Sequence, residues 1–197
     1  RQTILVVDHR QPMAVGPDGE RPLDYAREAG IGVTRAALNR GDPIGLWAIG
    51  RSGPTASVAS GSTTRTYGRI ETLLYGLTPT GGGDDRDVRS VAHVRTLTDR
   101  LDGDASRFAR ILSVYMSDAD PYLTLLRDDP LVGTVERIRN QSEREGLLVI
   151  VTSDEQPTEL REAVKTAIRD GGRALVLLLP QCLFEPAGLA DLDATYE

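Results

Sequence analysis

Two aspartates stand where apolar, strand-like runs end. Asp8 closes the run that begins at Ile4, and Asp154 follows a similar run over residues 147–152. In open α/β sheets, ligands bind outside the carboxyl ends of the strands, so we expect both carboxylates at one edge of a sheet. Converging carboxylate and hydroxyl oxygens are the ligands that Mg²⁺ requires. Divalent cation binding is therefore the first chemistry to consider.

The residues that follow Asp8 argue against a bound metal. Arg10 lies two positions on, and its guanidinium can pair with carboxylates and supply the positive charge that a metal would bring. Pro12 offers no side-chain oxygen. His9 has no nucleophile to pair with in the sequence and is interpreted as a loop side chain. We therefore expect no cofactor and no specific metal.

A second chemistry uses a cysteine nucleophile. Asp8, Lys165 and Cys182 are the residue types of the isochorismatase-like hydrolases, which also begin with an apolar strand ending in Val-Asp. Against this alternative, Lys165 falls within a predicted helix, and Cys182 is interpreted as a small buried apolar residue.

The glycine run at 81–83 is not followed by the Lys-Ser/Thr of a phosphate-binding loop, so no nucleotide site is predicted there.

Composition excludes several classes of function. The formal charge is −6 and the basic residues are scattered, which argues against nucleic-acid binding. The single cysteine excludes an internal disulfide and a multi-cysteine zinc site. No run of about 18 apolar residues is present, so no membrane insertion of this segment is predicted. The chain starts without Met and directly in a strand, which indicates a fragment of a longer protein.

Apolar periodicity and turn residues predict the elements that position these residues. Strands are predicted over 2–7, 43–50, 55–59, 147–152 and 174–179; helices over 22–39, 65–77, 90–101, 106–116, 131–145, 157–170 and 186–196, with a further turn or two over 121–126. Strands that alternate with helices demand a mostly parallel sheet covered on both faces. The short turn at 51–54 makes the third strand antiparallel to the second, at one edge. We therefore predict one Rossmann-like α/β domain over residues 1–197, with a helical insertion at about 84–130, called the inserted segment.

Three motifs carry a resemblance to a known family. They are Leu23-Asp24-Tyr25-Ala26 at a helix start, Gly41-Asp42-Pro43-Ile44-Gly45-Leu46 before the second strand, and Val149-Ile150-Val151-Thr152-Ser153-Asp154 at the fourth. With the ending Leu189-Ala190-Asp191-Leu192-Asp193 and the order of elements, the chain resembles the von Willebrand factor A fold, and within it the family called domain of unknown function 58.

The resemblance implies a metal-ion-dependent adhesion site that has lost most of its ligands. Its positions, which we call the rim, are Asp8, Arg10, Pro12, Gly83, Asp84 and Asp154. Arg10 and Pro12 stand at the two serine ligand positions of that site, and Gly83 stands at its threonine position. If a metal bound here, the resemblance implies Asp8, Asp84 and Asp154 as its ligands. The resemblance also implies a non-enzymatic, protein-binding scaffold at the cytoplasmic face of a membrane, acting with a MoxR-type AAA+ ATPase. The inserted segment is expected beside the rim, either as an embellishment of the core or as part of a partner's surface.

Overall fold

The structure is a computed structural model that describes residues 2–80, 129–141 and 146–184. The strands are β1 (Thr3–Asp8), β2 (Ile44–Gly50), β3 (Gly53–Gly61), β4 (Leu147–Ser153) and β5 (Arg173–Leu179). The helices are α1 (Pro22–Arg40), α2 (Thr64–Gly76), α3 (Pro130–Gln141) and α4 (Pro157–Ile168). Short 3₁₀ turns cover Gln11–Ala14, Arg169–Gly171 and Gln181–Leu183.

The five strands form one sheet in the order β3-β2-β1-β4-β5. β1 pairs in parallel with β2 and with β4, and β4 pairs in parallel with β5. β3 alone is antiparallel, because the two-residue turn after Gly50 returns the chain directly beside β2. The carboxyl ends of β1, β2, β4 and β5 therefore meet at one edge. This topology confirms the predicted fold class, a mostly parallel α/β sheet with one antiparallel edge strand.

Helices cover both faces of the sheet, which explains why the central strands are apolar throughout. Leu5 and Val7 pack with α1 and α2 on one face. Ile4 and Val6, on the same strand, pack with α3 and α4 on the other. Successive strand residues point to opposite faces, so a strand with a core on each side needs apolar residues at every position.

Helix α1 illustrates how local chemistry sets an element's bounds. At its start, Asp24 Oδ2 accepts the backbone N–H of Arg21 at 3.0 Å. At its end, Gly41 has φ 69° and ψ 18°, the left-handed conformation predicted for it from sequence. Within the helix, a Cβ on Gly30 would stand 3.1 Å from methyl carbons of Leu5 and Leu74. Glycine at this position therefore lets α1 approach the sheet closely.

Some predicted bounds were wrong, and others fall on residues that the structure does not describe. β3 extends to Gly61 rather than to residue 59, and α4 ends at Ile168 because a 3₁₀ turn replaces its last residues. The helices predicted over 90–101, 106–116 and 186–196, the turn at 121–126, most of the inserted segment, and Gly83 and Asp84 lie outside the described residues. Among the helices that are described, none has the length and apolarity needed to cross a membrane.

Candidate functional site

The carboxylate of Asp8 lies at the end of β1, 1% exposed, and is paired with Arg10. Arg10 Nε donates to both Asp8 oxygens at 2.9 and 3.0 Å, and Nη2 donates to Oδ2 at 2.6 Å. The backbone N–H of Arg10 reaches Oδ1 at 2.9 Å, and Thr152 Oγ1 donates to Oδ2 at 2.7 Å from the adjacent strand β4. Both carboxylate oxygens are thus occupied by protein donors.

The far side of the Arg10 guanidinium contacts the segments that begin α3 and α4. Nη1 donates to Gln156 Oε1 at 2.6 Å and lies 3.7 Å from Asp129 Oδ2. Burial by itself lowers the pKa of Arg10, but the hydrogen bonds and charge of Asp8, with the charges of Asp129 and Glu159, more than reverse this effect. The pKa of Arg10 therefore lies above its ordinary value, and the side chain is a permanent buried cation.

Asp129 joins this site to helix α3. Its Oδ1 accepts the backbone N–H groups of Leu131 and Val132 at 2.8 and 2.9 Å, which makes it the N-cap of a helix that starts with Pro130. Its other oxygen faces Arg10. One carboxylate therefore fixes the start of α3 relative to the end of β1.

Glu159 adds a third negative charge. It lies in the first turn of α4, is 3% exposed, and its Oε2 has no hydrogen-bond partner among the described residues. The site, which we call the Arg10 cluster, comprises Asp8, Arg10, Asp129, Thr152, Gln156 and Glu159. Its three carboxylates outnumber its single guanidinium. The N-termini of α3 and α4 both lie here and favour the additional negative charge.

Asp154, the second predicted carboxylate, is not a partner of Arg10. It is exposed, and its Oδ1 accepts the backbone N–H of Gln181 at 2.9 Å. Of the two strand-end carboxylates with which Arg10 could pair, the structure pairs it with Asp8; Asp154 is satisfied by a loop amide instead, because the loop after β4 directs its side chain toward the turn that follows β5. Gln181 Nε2 also donates to the carbonyl oxygen of Pro12 at 3.4 Å, so the turn after β5 contacts both the loop after β1 and the loop after β4.

The described residues at this edge do not fit a divalent cation. Mg²⁺ needs near-octahedral oxygen ligands at about 2.1 Å. The guanidinium of Arg10 lies against the two Asp8 oxygens that would have to serve, and Asp154 points elsewhere. Within residues 2–80, 129–141 and 146–184, no three acidic, histidine or cysteine side chains are placed to hold a metal.

His9 is a buried side chain that connects the end of β1 to β3 and to the residues after α2, and is not an ordinary loop side chain. It is 4% exposed; its Nδ1 lies 2.7 Å from the carbonyl oxygen of Thr78 and its Nε2 lies 2.7 Å from Thr55 Oγ1. The backbone N–H of Thr80 donates to the carbonyl oxygen of His9 at 2.8 Å. The residues just before the glycine run are thereby anchored to the end of β1.

The three residues of the alternative cysteine chemistry do not come together. Lys165 forms an ion pair with Glu162 on the exposed side of α4. It lies eight residues from the helix start at the rim, about 12 Å along the axis. Asp8 is enclosed by Arg10 and Thr152, and Cys182 lies partly buried in the turn after β5. Among the described residues, no hydrogen bond or ion pair joins any two of these three side chains.

Sequence reasoning missed four members of the Arg10 cluster: Asp129, Thr152, Gln156 and Glu159. Asp129 carried a usable signal, since an aspartate directly before a proline is typical of a helix start. Thr152 precedes the strand-end Ser-Asp and could have been included with it. Nothing in the spacing of Gln156 and Glu159 indicates that their side chains turn toward Arg10.

Comparison with known proteins assigns this chain to no family. No protein-family model matches this sequence, and no curated protein matches it. Among solved structures, the chain is similar to the crystal structure of the SpRpn10 VWA domain, with 13% identity and a TM-score of 0.42, over 99% of this chain and 94% of that chain. No residue role follows from a likeness of this kind.

Proposed function

We propose that this chain is a non-enzymatic protein-binding domain whose partner surface is the rim. The observation that carries the proposal is the buried ion pair between Arg10 and Asp8. It places a fixed positive charge at the carboxyl end of the central strand, where open α/β sheets bind their ligands. A site of this kind can present a constant surface to a partner without loading a metal.

The same contacts support the absence of catalysis. A general base needs a free acceptor within hydrogen-bond reach of a substrate proton. Asp8 accepts hydrogen bonds from Arg10 and Thr152, so neither of its carboxylate oxygens has a free acceptor position facing solvent. Cys182 has no histidine partner among the described residues; its chemistry as a nucleophile would need one, or another source of a lowered pKa.

We further propose that the rim is a metal-free derivative of the adhesion site of von Willebrand factor A domains. The proposal extends to a MoxR-type AAA+ ATPase as the partner and to a position at the cytoplasmic face of a membrane in the full-length protein. Support comes from the sequence resemblance to the domain of unknown function 58 family, from the strand order, and from Asp8 and Arg10 at the end of β1.

The test measures binding of the chain to the MoxR-type ATPase encoded nearest to it, by biolayer interferometry. This chain is first stripped with EDTA and desalted, and binding is compared before and after the treatment. We expect equal affinities, because the cation of the rim is part of the polypeptide. Binding that disappears on stripping and returns with Mg²⁺ would contradict the proposal.

A pair of variants locates the surface. Asp154→Ala removes an exposed carboxylate from the rim, and Glu28→Ala removes an exposed carboxylate from α1. We expect Asp154→Ala to weaken binding about tenfold, equivalent to about 1.4 kcal/mol, and Glu28→Ala to leave it unchanged. Equal effects of the two variants would place the partner surface away from the rim.

A further inference from the structure

The two edges of the sheet differ in how they are protected against pairing. The edge strand β3 contains Pro54, and its register with β2 is interrupted twice, between Ile44 and Leu46 and between Ala48 and Ile49. Proline and bulges are devices that keep an edge strand from accepting another strand. The opposite edge, β5, pairs with β4 over seven consecutive residues without a shift and contains no proline.

β5 is also apolar on both faces. Its sequence is Arg-Ala-Leu-Val-Leu-Leu-Leu, so after Arg173 no polar side chain interrupts it. Leu175 is 47% exposed on the α1 side of the sheet, and Leu178 is 45% exposed on the α4 side. Within the described residues no strand lies on its outer edge. A long, regular, apolar edge of this kind is a template for another strand.

We propose that β5 pairs with β5 of a second copy of this chain, antiparallel about a two-fold axis at Val176, to join two sheets into one. This register uses the whole strand, because Val176 is its central residue. It sets Leu175 opposite Leu177 and Ala174 opposite Leu178, so that the cross-strand pairs between these positions are apolar on both faces. A two-fold interface requires a surface complementary to itself, and β5 meets that requirement.

The ends of the strand are complementary in charge and in apolar surface. Arg173 is exposed at one end, and Asp154 lies at the other, because it accepts the N–H of Gln181. Antiparallel pairing sets Arg173 of one copy opposite Leu179 of the other, two residues or about 7 Å from Gln181 and within reach of Asp154 there. Ile168 is half exposed at the end of α4, the helix that packs on the face of the sheet carrying Ala174, and Leu178 of the second copy joins that face. The net charge of −6 on each chain opposes association, and the Arg173–Asp154 and apolar contacts at the strand ends offset this repulsion.

The first test measures association of the 197-residue chain by sedimentation velocity from about 1 to about 100 µM. We expect a reversible dimer. Leu175→Lys or Leu178→Lys places a charge on the edge and should weaken dimerisation at least tenfold, because charged side chains, lysine especially, keep an edge strand from pairing. Tyr75→Lys, at the 67% exposed tyrosine of α2, is the matched control and should dimerise like the wild type. A chain that stays monomeric over this range would assign the edge to a different partner and overturn the proposal.

The second test fixes the register by disulfide trapping in a Cys182→Ser background. Val176→Cys should cross-link under mild oxidation, because opposite residues of antiparallel strands have Cα atoms about 4.5–5.5 Å apart, within disulfide range. Leu175→Cys should not, because its two copies lie diagonally at roughly 7–8 Å. Cross-linking that is equal at the two positions, or absent at Val176→Cys, would show that β5 does not pair with itself in this way.

Discussion

Removing the guanidinium of Arg10 should leave the carboxylate of Asp8 buried without its counter-ion. The side chains of Arg10 and Asp8 are 11% and 1% exposed, so neither charge is stabilised by bulk water. Breaking a buried pair by removing one partner costs about 3–5 kcal/mol. In Arg10→Ala, Asp8 keeps the backbone N–H of residue 10 and the hydroxyl of Thr152, which favours the lower end of that range. We expect about 3 kcal/mol, equivalent to a fall in Tm of roughly 6–12 °C for a chain of this size.

The assay is urea unfolding followed by circular dichroism, with two comparison variants. Arg35→Ala breaks an exposed ion pair with Glu71 and should cost less than about 1 kcal/mol. The double variant Asp8→Leu, Arg10→Met removes both charges of this pair and should recover part of the loss, but not all of it, because Asp129 and Glu159 then lack their cation. A cost for Arg10→Ala no greater than that for Arg35→Ala would refute the reasoning, because it would mean that the Asp8 charge is solvated.

The pH dependence of this loss follows from the raised pKa of Arg10. A group whose folded-state pKa is raised contributes stability that is fully present below its unfolded pKa and is lost as the pH rises through the folded value. Both values lie in the strongly alkaline range for arginine. The contribution of Arg10 should therefore remain undiminished from about pH 6 to about pH 9, and a difference between wild type and Arg10→Ala that disappears by pH 9 would contradict this assignment.

Three further predictions concern positions outside the buried pair. Gly172→Ala should destabilise the chain by about 1–3 kcal/mol, because its Cβ would overlap the main-chain oxygen of Ala167, whereas Gly32→Ala on the exposed side of α1 should stabilise it by about 0.5–1 kcal/mol; urea unfolding of both variants would show opposite signs. Replacing residues 85–129 with a short Gly-Ser linker should leave a folded domain that no longer binds its partner; a linker that replaces only 85–128 keeps Asp129 as the cap of α3 and should retain about 0.5–2 kcal/mol that the longer replacement loses. Cys182 should react slowly with a chromogenic thiol reagent in the folded chain, at a rate that Lys165→Ala leaves unchanged; suppression by that variant would support the cysteine hydrolase alternative.

Much of the fold could be predicted because apolar runs and turn residues mark its strands and turns locally in the sequence. Residues 4–7 of β1 and 147–151 of β4 are apolar at every position, and this requires burial on both faces. Gly41 and the turn after Gly50 signal where a helix stops and where a strand reverses. β3 was underestimated because the residues missed at its two ends are Gly53, Pro54, Ser60 and Gly61, which are types typical of turns.

The site could be predicted only where its members are neighbours in sequence. Arg10 lies two residues from Asp8, so their pairing follows from chain geometry and is observed. Asp154 was assigned to the same site from the general rule for strand ends, but the direction of its side chain depends on a hydrogen bond to the turn after β5. The approach of Asp129 and Gln156 to Arg10 depends on how α3 and α4 pack on the sheet, which no local pattern encodes.

The central claim is that Arg10 supplies the cation of this edge, so that the native chain has no use for a metal there. Differential scanning calorimetry in millimolar Mg²⁺, Mn²⁺ or Ca²⁺, each repeated after EDTA, tests this claim most directly. A ligand at one hundred times its Kd stabilises a protein by about 2.7 kcal/mol, or roughly 5–11 °C here. We predict a Tm that does not change beyond the general effect of salt, because the two oxygens of Asp8 are already bonded to Arg10. A saturable, EDTA-reversible rise of several degrees in the wild-type chain would contradict the account.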